Sequence, residues 1–131
     1  MMIERVWLGW AGLSGALAVA AEAAARHLSA GDAHRLELVA IAARYGLIHS
    51  LALFAAAVFA ASWRRGAGRG WLIAAGWAFA AGLGLFCGSL YLLALGGPAV
   101  VAAATPIGGT FFIVGWAALF VMALAARWPA E

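Results

Sequence analysis

This sequence contains very little charge. Only 10% of its 131 residues are Asp, Glu, Lys or Arg, while 67% are hydrophobic. An average soluble domain is ~25% charged and ~45–50% apolar. The core of a soluble domain of this length cannot hold such an apolar excess, so the outside of the protein must be apolar too. The composition therefore indicates an integral membrane protein, for which lipid replaces water as the solvent.

Two other residue types are missing or nearly so. Lysine is absent, and the eight basic residues are all arginines that form no continuous basic face, which argues against a nucleic-acid partner. The single cysteine, Cys87, excludes an internal disulfide and a metal site made of cysteine pairs. Because no nucleophile–base pair, phosphate-binding loop or carboxylate pair has recognisable spacing, an enzymatic function is not favoured.

The sequence contains four apolar blocks, each about as long as the ~20 residues that cross a bilayer, or longer. We predict an all-α, polytopic membrane protein, a single domain over residues 1–131 with four transmembrane helices in a compact bundle. The spans are expected at about 6–25, 36–63, 71–95 and 106–126. Ala21-Glu22-Ala23 resembles a signal-peptide cleavage pattern, but the length of the first block favours a retained helix.

The arginines predict the orientation of these spans. With four spans, one side of the membrane holds both termini and the second connection, with Arg5, Arg64, Arg65, Arg69 and Arg127. The opposite side holds Arg26 and Arg35. The positive-inside rule then predicts cytoplasmic N- and C-termini in the cytoplasmic (inner) membrane. The same side carries four residues of an interfacial aromatic belt, namely Trp7, Trp63, Trp71 and Trp128.

Ionisable groups enter the spans mainly in the second block. Glu22, Arg26, Glu37 and Arg44 are predicted interfacial charges, with Glu22 and Arg26 spaced for an i,i+4 pair. Glu37 and Arg44 are expected to form a charge pair or to contact lipid headgroups. Arg44 can extend its long side chain to the interface. His49 lies roughly 7 Å deeper, so it must be satisfied within the bundle.

Small residues and one proline suggest how the helices pack. Gly12, Ala16, Ala20 and Ala24 recur at every fourth position of the first block, as do Gly76, Ala80, Gly84 and Gly88 of the third. Such stripes allow close packing in membranes, so we expect the two to pack on each other or on a second copy. Thr105-Pro106 is typical of an N-cap followed by proline at the first helical position.

Three stretches together resemble a known family. They are Tyr45–Leu53, Phe86–Leu95 and Thr105–Gly109, the last followed by Gly115-Trp116. Their order and spacing, over nearly the whole chain, are similar to the YgdD-like family of small four-helix membrane proteins. That group is catalogued as a domain of unknown function and has eukaryotic transmembrane relatives.

The resemblance implies a set of signature and packing positions. They are Tyr45, His49, Gly84, Gly88, Ser89, Tyr91, Pro106, Gly108, Gly109 and Trp116. Of these, we expect Tyr45, His49, Ser89 and Tyr91 to form an intramembrane polar cluster. The family has a histidine at the end of the first helix where this chain has Arg26-His27, which weakens any site pairing that histidine with His49.

The leading functional hypothesis is a non-enzymatic accessory, scaffold or lipid-interacting membrane subunit. Its expected partners are membrane lipid and a second copy or a larger membrane complex. The alternative is a cofactor, metal or proton-binding site centred on His49. No cofactor is predicted, because a metal or haem at His49 lacks a second histidine at the same depth. A third hypothesis is an ion or proton conduit formed by an oligomer.

Overall fold

A computed structural model describes residues 2–28 and 32–126 of the chain. The α-helices are α1 (Met2–Leu28), α2 (Ala33–Ser62), α3 (Arg69–Gly82), α4 (Gly88–Ala94) and α5 (Ala104–Ala125). A π-helical turn at Leu83–Cys87 joins α3 to α4, and a 3-10 turn at Ala99–Ala103 leads into α5. Within the described ranges no residue belongs to a strand. Arg127 and Trp128, assigned above to the cytoplasmic side, lie outside the described residues.

The helices form four long apolar segments. Because α3, the π-helical turn and α4 run on without a break, the described residues contain four candidate membrane spans of 26 to 30 residues. At 1.5 Å per residue each is longer than the ~30 Å hydrocarbon core. Large apolar side chains such as Leu51, Phe54, Ile113 and Phe120 face outward. The predicted all-α class with four spanning helices is confirmed.

Local chemistry defines two of the helix ends. Asp32 caps α2, since its Oδ1 accepts a hydrogen bond from the Arg35 backbone N–H at 3.1 Å. The third span ends where Gly96 adopts a φ of +86°. The N–H groups of Gly96 and Gly97 then bond back to the carbonyls of Leu93 and Leu92. These two hydrogen bonds form a Schellman motif, which satisfies the last carbonyls of the helix.

The expectation that Thr105 caps a helix is wrong. The N-cap of α5 is Ala103, and the preceding 3-10 turn feeds the helix directly, so no free helix end exists at Thr105. The Thr105 hydroxyl instead lies 2.7 Å from the Ser89 hydroxyl. Pro106 falls within the first turn of α5, where a missing N–H leaves no helical bond unmade.

Alanine-rich surfaces hold the helices together. The helix α2 packs along α1 and α3, and α5 packs along α3 and the π-helical turn. Most side chains that α2 buries are small, among them Ala42, Ala52, Ala56 and Ala60. Larger residues fill the space between helices, and four of them are fully enclosed: Trp7, Leu53, Leu72 and Phe79.

The two small-residue stripes do not pack on each other, so of the two expected arrangements only packing on a second copy stays a prediction. In α1 the stripe of Gly12, Ala16, Ala20 and Ala24 faces outward, because α1 buries the opposite side, with Trp7, Ala11 and Ala18. In the third span, Gly76 receives the Trp7 ring, and an added Cβ would lie only 2.3 Å from it. An i,i+4 pattern of small residues is thus exposed in one helix, whereas in the other one of its members packs against a tryptophan.

Arg69 ties three helices together at one end of the bundle. Its Nη1 donates hydrogen bonds to the carbonyls of Ala60, at 2.9 Å, and Trp63, at 2.5 Å. Its Nη2 lies 3.9 Å from the carboxylate of Glu4, a buried residue of α1. These contacts bring the start of α1 beside the connection between α2 and α3.

We predict that Arg69→Gln lowers the free energy of unfolding by about 1–3 kcal/mol, since it removes charge-assisted bonds to two carbonyls at the end of α2. Unfolding in mixed detergent micelles measures the change. Arg65→Gln, which removes an exposed arginine of the same connection, is the matched control and should be near neutral. Equal effects of the two substitutions would show that Arg69 contributes only its charge.

Candidate functional site

His49 lies at the centre of a contact between α2 and α5. Its side chain is only 4% exposed. Nδ1 lies 2.7 Å from the Tyr45 carbonyl oxygen, and Nε2 lies 3.2 Å from Nε1 of Trp116. Because an indole N–H only donates, Nε2 must accept, and the ring proton therefore sits on Nδ1 and is donated to Tyr45. Both nitrogens of a neutral imidazole are thus satisfied within the protein.

Aromatic rings enclose the imidazole. Phe112 of α5 stacks on it, with ring centroids 3.5 Å apart and planes 11° from parallel. Tyr45 lies parallel to it one helical turn away, at 5.9 Å, and Phe79 meets it at an angle. The enclosure leaves little of His49 exposed, although Trp116 itself is 48% exposed.

Glycines bring α5 close enough for these contacts. A Cβ on Gly82 would lie 2.4 Å from the Phe112 ring, and one on Gly115 would lie 2.5 Å from the Phe79 ring. A Cβ on Gly108 would lie 2.3 Å from the Phe86 backbone nitrogen, within the π-helical turn. Each ring therefore fills a hollow that only glycine leaves, which fixes the position of α5 against the third span.

An open groove of about 630 Å³ lies beside His49. We call it the α2–α5 groove. Its wall combines apolar and aromatic residues with a few polar ones: Arg44, Tyr45, Ile48, His49, Phe86, Pro106, Gly109, Thr110, Phe112, Ile113 and Trp116. Arg44 is exposed, and no carboxylate pairs with it in the part of the chain that the structure describes.

The structure brings some of the sequence-predicted residues together and separates others. Tyr45 and His49 are in contact and share the groove with Pro106, Gly109 and Trp116. Ser89 is buried elsewhere: it donates to the Phe86 carbonyl at 2.9 Å and therefore accepts from Thr105.

Tyr91 packs against a second small core that contains Ala25, Val39 and Ala94. Among the described residues no hydrogen bond links Ser89 or Tyr91 to His49. Gly84 is exposed beside Trp10 of α1, and the side of Gly88 that would carry a Cβ is open.

Of the two charge pairs expected among the four interfacial residues, the structure contains one. Glu22 and Arg26 form the expected i,i+4 pair, 3.0 Å apart and exposed. The described residues show no ion pair between Glu37 and Arg44, because seven residues of helix separate them by about 10 Å along the axis. Arg44 points to the α2–α5 groove instead.

Three polar contacts were not anticipated from the sequence. Trp116 was recognised only as a signature position, yet it supplies the donor to His49. Ser14 donates to the Trp10 carbonyl and accepts from Ser50, 2.7 Å away, which joins α1 to α2. The sequence signal was present, since each is a polar side chain inside an apolar span, but the pairing depends on helix rotation.

Candidate metal ligands are few around His49. Among the described residues no three His, Cys, Asp or Glu side chains converge as a metal site requires. A ligand at Nε2 of His49 would also have to displace Trp116. The groove instead contains the Arg44 cation, an apolar wall and the Thr110 hydroxyl. That hydroxyl donates its proton to the Pro106 carbonyl, and its oxygen can still accept a hydrogen bond.

We predict that Gly108→Ala destabilises the bundle by about 1–3 kcal/mol, because the methyl group would collide with the backbone of Phe86. Gly109→Ala is a matched control one residue away, where an added Cβ would make an ordinary contact of 3.6 Å with the Phe86 ring. Thermal unfolding in detergent compares the two variants. Equal tolerance of both alanines would contradict the close approach of α5.

A second prediction concerns Trp116→Phe, which keeps an aromatic ring but removes the donor to His49. We expect a loss of about 0.5–2 kcal/mol, the range for hydrogen bonds between membrane helices, and a changed Nε2 resonance in ¹⁵N NMR spectra of the histidine ring. Trp71→Phe is the control, since Trp71 is an exposed residue at the other end of the bundle. An unchanged ring spectrum in Trp116→Phe would rule out the hydrogen bond.

Comparison with known proteins identifies the family. Residues 8–109 match the model described as "Protein of unknown function (DUF423)". The UPF0382 inner membrane protein YgdD of Escherichia coli is 34% identical over 128 residues, which cover 96% of this chain and 95% of YgdD. A UPF0382 membrane protein of Haemophilus influenzae is 36% identical over 125 residues, 89% of this chain and 92% of that protein.

A further relative is the UPF0382 membrane protein YwdK of Bacillus subtilis, 38% identical over 81 residues, 62% of this chain and 63% of YwdK. No solved structure matches the chain. These matches confirm the YgdD-like resemblance read from Tyr45–Leu53, Phe86–Leu95 and Thr105–Gly109. The chain belongs to the DUF423 family of UPF0382 membrane proteins, a family of unknown function.

Proposed function

We propose that this protein is a non-enzymatic, lipid-interacting subunit of the cytoplasmic membrane, and that it holds an anionic lipid in the α2–α5 groove. The observation that carries this proposal is Arg44. It is a cation within an apolar span, at the edge of a groove, with no carboxylate partner among the described residues. A charge in that position is costly unless a counter-ion neutralises it.

The chemistry of the groove selects the counter-ion. A guanidinium binds phosphate or carboxylate oxygens through two parallel hydrogen bonds. Beyond Arg44 the wall becomes apolar, with Ile48, Ile113 and the exposed face of Trp116. An anionic head and an acyl chain fit these two parts in that order, which a small soluble anion does not.

The state of His49 supports a non-enzymatic role. A general base or a nucleophile's partner needs a free nitrogen within reach of substrate, but both nitrogens of His49 are bonded to Tyr45 and Trp116. Phe112 also covers one face of the ring. We infer that His49 holds α2 and α5 at the spacing that forms the groove.

The cytoplasmic location rests on charge. Arg5 and Arg69, with Arg64 and Arg65 of the second connection, lie at the end of the bundle where Arg69 approaches Glu4. The excess of arginine supports a cytoplasmic position for this end, and the relative YgdD is named an inner membrane protein. By this orientation the α2–α5 groove opens toward the opposite leaflet.

To test lipid binding, the purified full chain is mixed with phosphatidylglycerol and, separately, with phosphatidylcholine, and adducts are counted by native mass spectrometry. We expect Arg44→Gln to weaken phosphatidylglycerol binding about fivefold, the effect of ~1 kcal/mol per arginine at an anionic lipid. Arg26→Gln removes an equal charge outside the groove and is the control. Equal binding by the wild type and Arg44→Gln would refute the proposal.

Orientation has its own test. With Cys87→Ala as background, Ala67→Cys in the second connection and His34→Cys at the start of α2 report on opposite sides. We expect a membrane-impermeant thiol reagent added to intact cells to label His34→Cys and to leave Ala67→Cys unlabelled. The reverse pattern would place the arginine-rich end outside.

A further inference from the structure

A second groove lies at the opposite end of the bundle, between α1 and α3. It has a volume of about 510 Å³, and we call it the α1–α3 groove. Three tryptophans, Trp7, Trp10 and Trp77, line it, and Arg5 lies at its edge. The α2–α5 groove shares no residue with it, so the two sites are independent.

The tryptophans form a fixed wall. Trp10 donates its indole N–H to the Ala80 carbonyl at 3.0 Å, which anchors α1 to α3. Trp7 and Trp77 meet edge to face, with ring centroids 5.9 Å apart. Trp7 is fully buried, and its indole N–H has no acceptor among the described residues. All three rings are thus held by contacts between α1 and α3.

Charge makes the groove amphipathic. Arg5 is exposed, and among the described residues no carboxylate pairs with it, while the adjacent Glu4 is engaged by Arg69. From Arg5 the groove continues to Leu13, eight residues along α1, which is about 12 Å at the helical rise. Half of the ~30 Å hydrocarbon core is ~15 Å. The segment from Arg5 to Leu13 is therefore slightly shorter than one leaflet is thick, with the cation at the arginine-rich end of the bundle.

We propose that the α1–α3 groove binds one anionic phospholipid of the leaflet at the arginine-rich end, with the phosphate at Arg5 and an acyl chain along Trp10 and Trp77. Tryptophan and arginine suit this position because one is favoured at the headgroup level and the other pairs with phosphate. With the α2–α5 groove, the protein then contacts a bound lipid in each leaflet.

Two glycines of α1 give a matched test of the site. Neither Gly9 nor Gly12 has any atom within 4 Å of the place where a Cβ would lie. Gly9 lines the α1–α3 groove, whereas Gly12 lies on a different surface of α1. Gly9→Leu therefore fills the groove and Gly12→Leu adds the same side chain elsewhere. Both variants should fold.

The experiment titrates the full-length protein in detergent with phosphatidylglycerol and follows adducts by native mass spectrometry. We expect Gly9→Leu to lower the affinity of one phosphatidylglycerol site at least tenfold and Gly12→Leu to leave it unchanged. Arg5→Gln should weaken the same site about fivefold, and Arg64→Gln, at the same end, should have no effect on it. Arg44→Gln should affect only the other site.

Two results would overturn the proposal. One is wild-type binding by Gly9→Leu. The other is an equal loss in Arg5→Gln and Arg64→Gln, which would mean that diffuse positive charge attracts the lipid. A brominated phosphatidylglycerol adds a direct measurement, since it should quench the wild-type tryptophan fluorescence and quench Trp77→Phe less. Equal quenching of the two proteins would likewise count against an acyl chain beside Trp77.

Discussion

The close approach of α5 to the third span determines most of the structure around His49. Gly82, Gly108 and Gly115 leave hollows that the rings of Phe112 and Phe79 and the backbone of Phe86 occupy. In lipid there is no hydrophobic drive between helices, so such close contact supplies the attraction. Once α5 is seated, Phe112 stacks on His49 and Trp116 reaches its Nε2. The α2–α5 groove is the space that remains beside this contact.

Polar groups inside the bundle follow a second constraint, the absence of water. The buried polar side chains of the described residues are Glu4, His49, Ser50 and Ser89. Each meets a partner on another helix: Arg69, Trp116, Ser14 and Thr105 respectively. Since an unsatisfied polar group in hydrocarbon costs several kcal/mol, these pairs stabilise the observed rotation of the helices. The buried Trp7 indole N–H and Tyr91 hydroxyl, which have no hydrogen-bond partner among the described residues, are exceptions. Arg5 and Arg44 differ, because the described residues show no carboxylate paired with either of them; the proposed anionic lipids would supply that partner.

The sequence predicted the features that depend on one helix at a time. Spans, fold class and the burial of His49 follow from hydropathy and depth, and the Glu22–Arg26 pair follows from i,i+4 spacing. Features that depend on two helices were predicted less well. Nothing in the spacing of Gly12 or Ala16 indicates whether that face of α1 meets lipid or protein. Trp116 and His49 are 67 residues apart, and their contact depends on the rotation that the glycine hollows impose.

The π-helical turn at Leu83–Cys87 acts as one extra residue in the third span. Were one residue of this segment lost, regular α-helix would resume and α4 would turn by about 100° relative to α3. Ser89 would then point away from Thr105, and Tyr91 would leave the pocket formed by Ala25 and Val39. The turn thus changes the rotation of the third span about its own axis. Before the turn its buried side packs on α5, and after the turn its buried side packs on α1 and α2. We therefore expect a one-residue deletion at 83–87 to disrupt the packing of this protein far more than a deletion in a connection between spans.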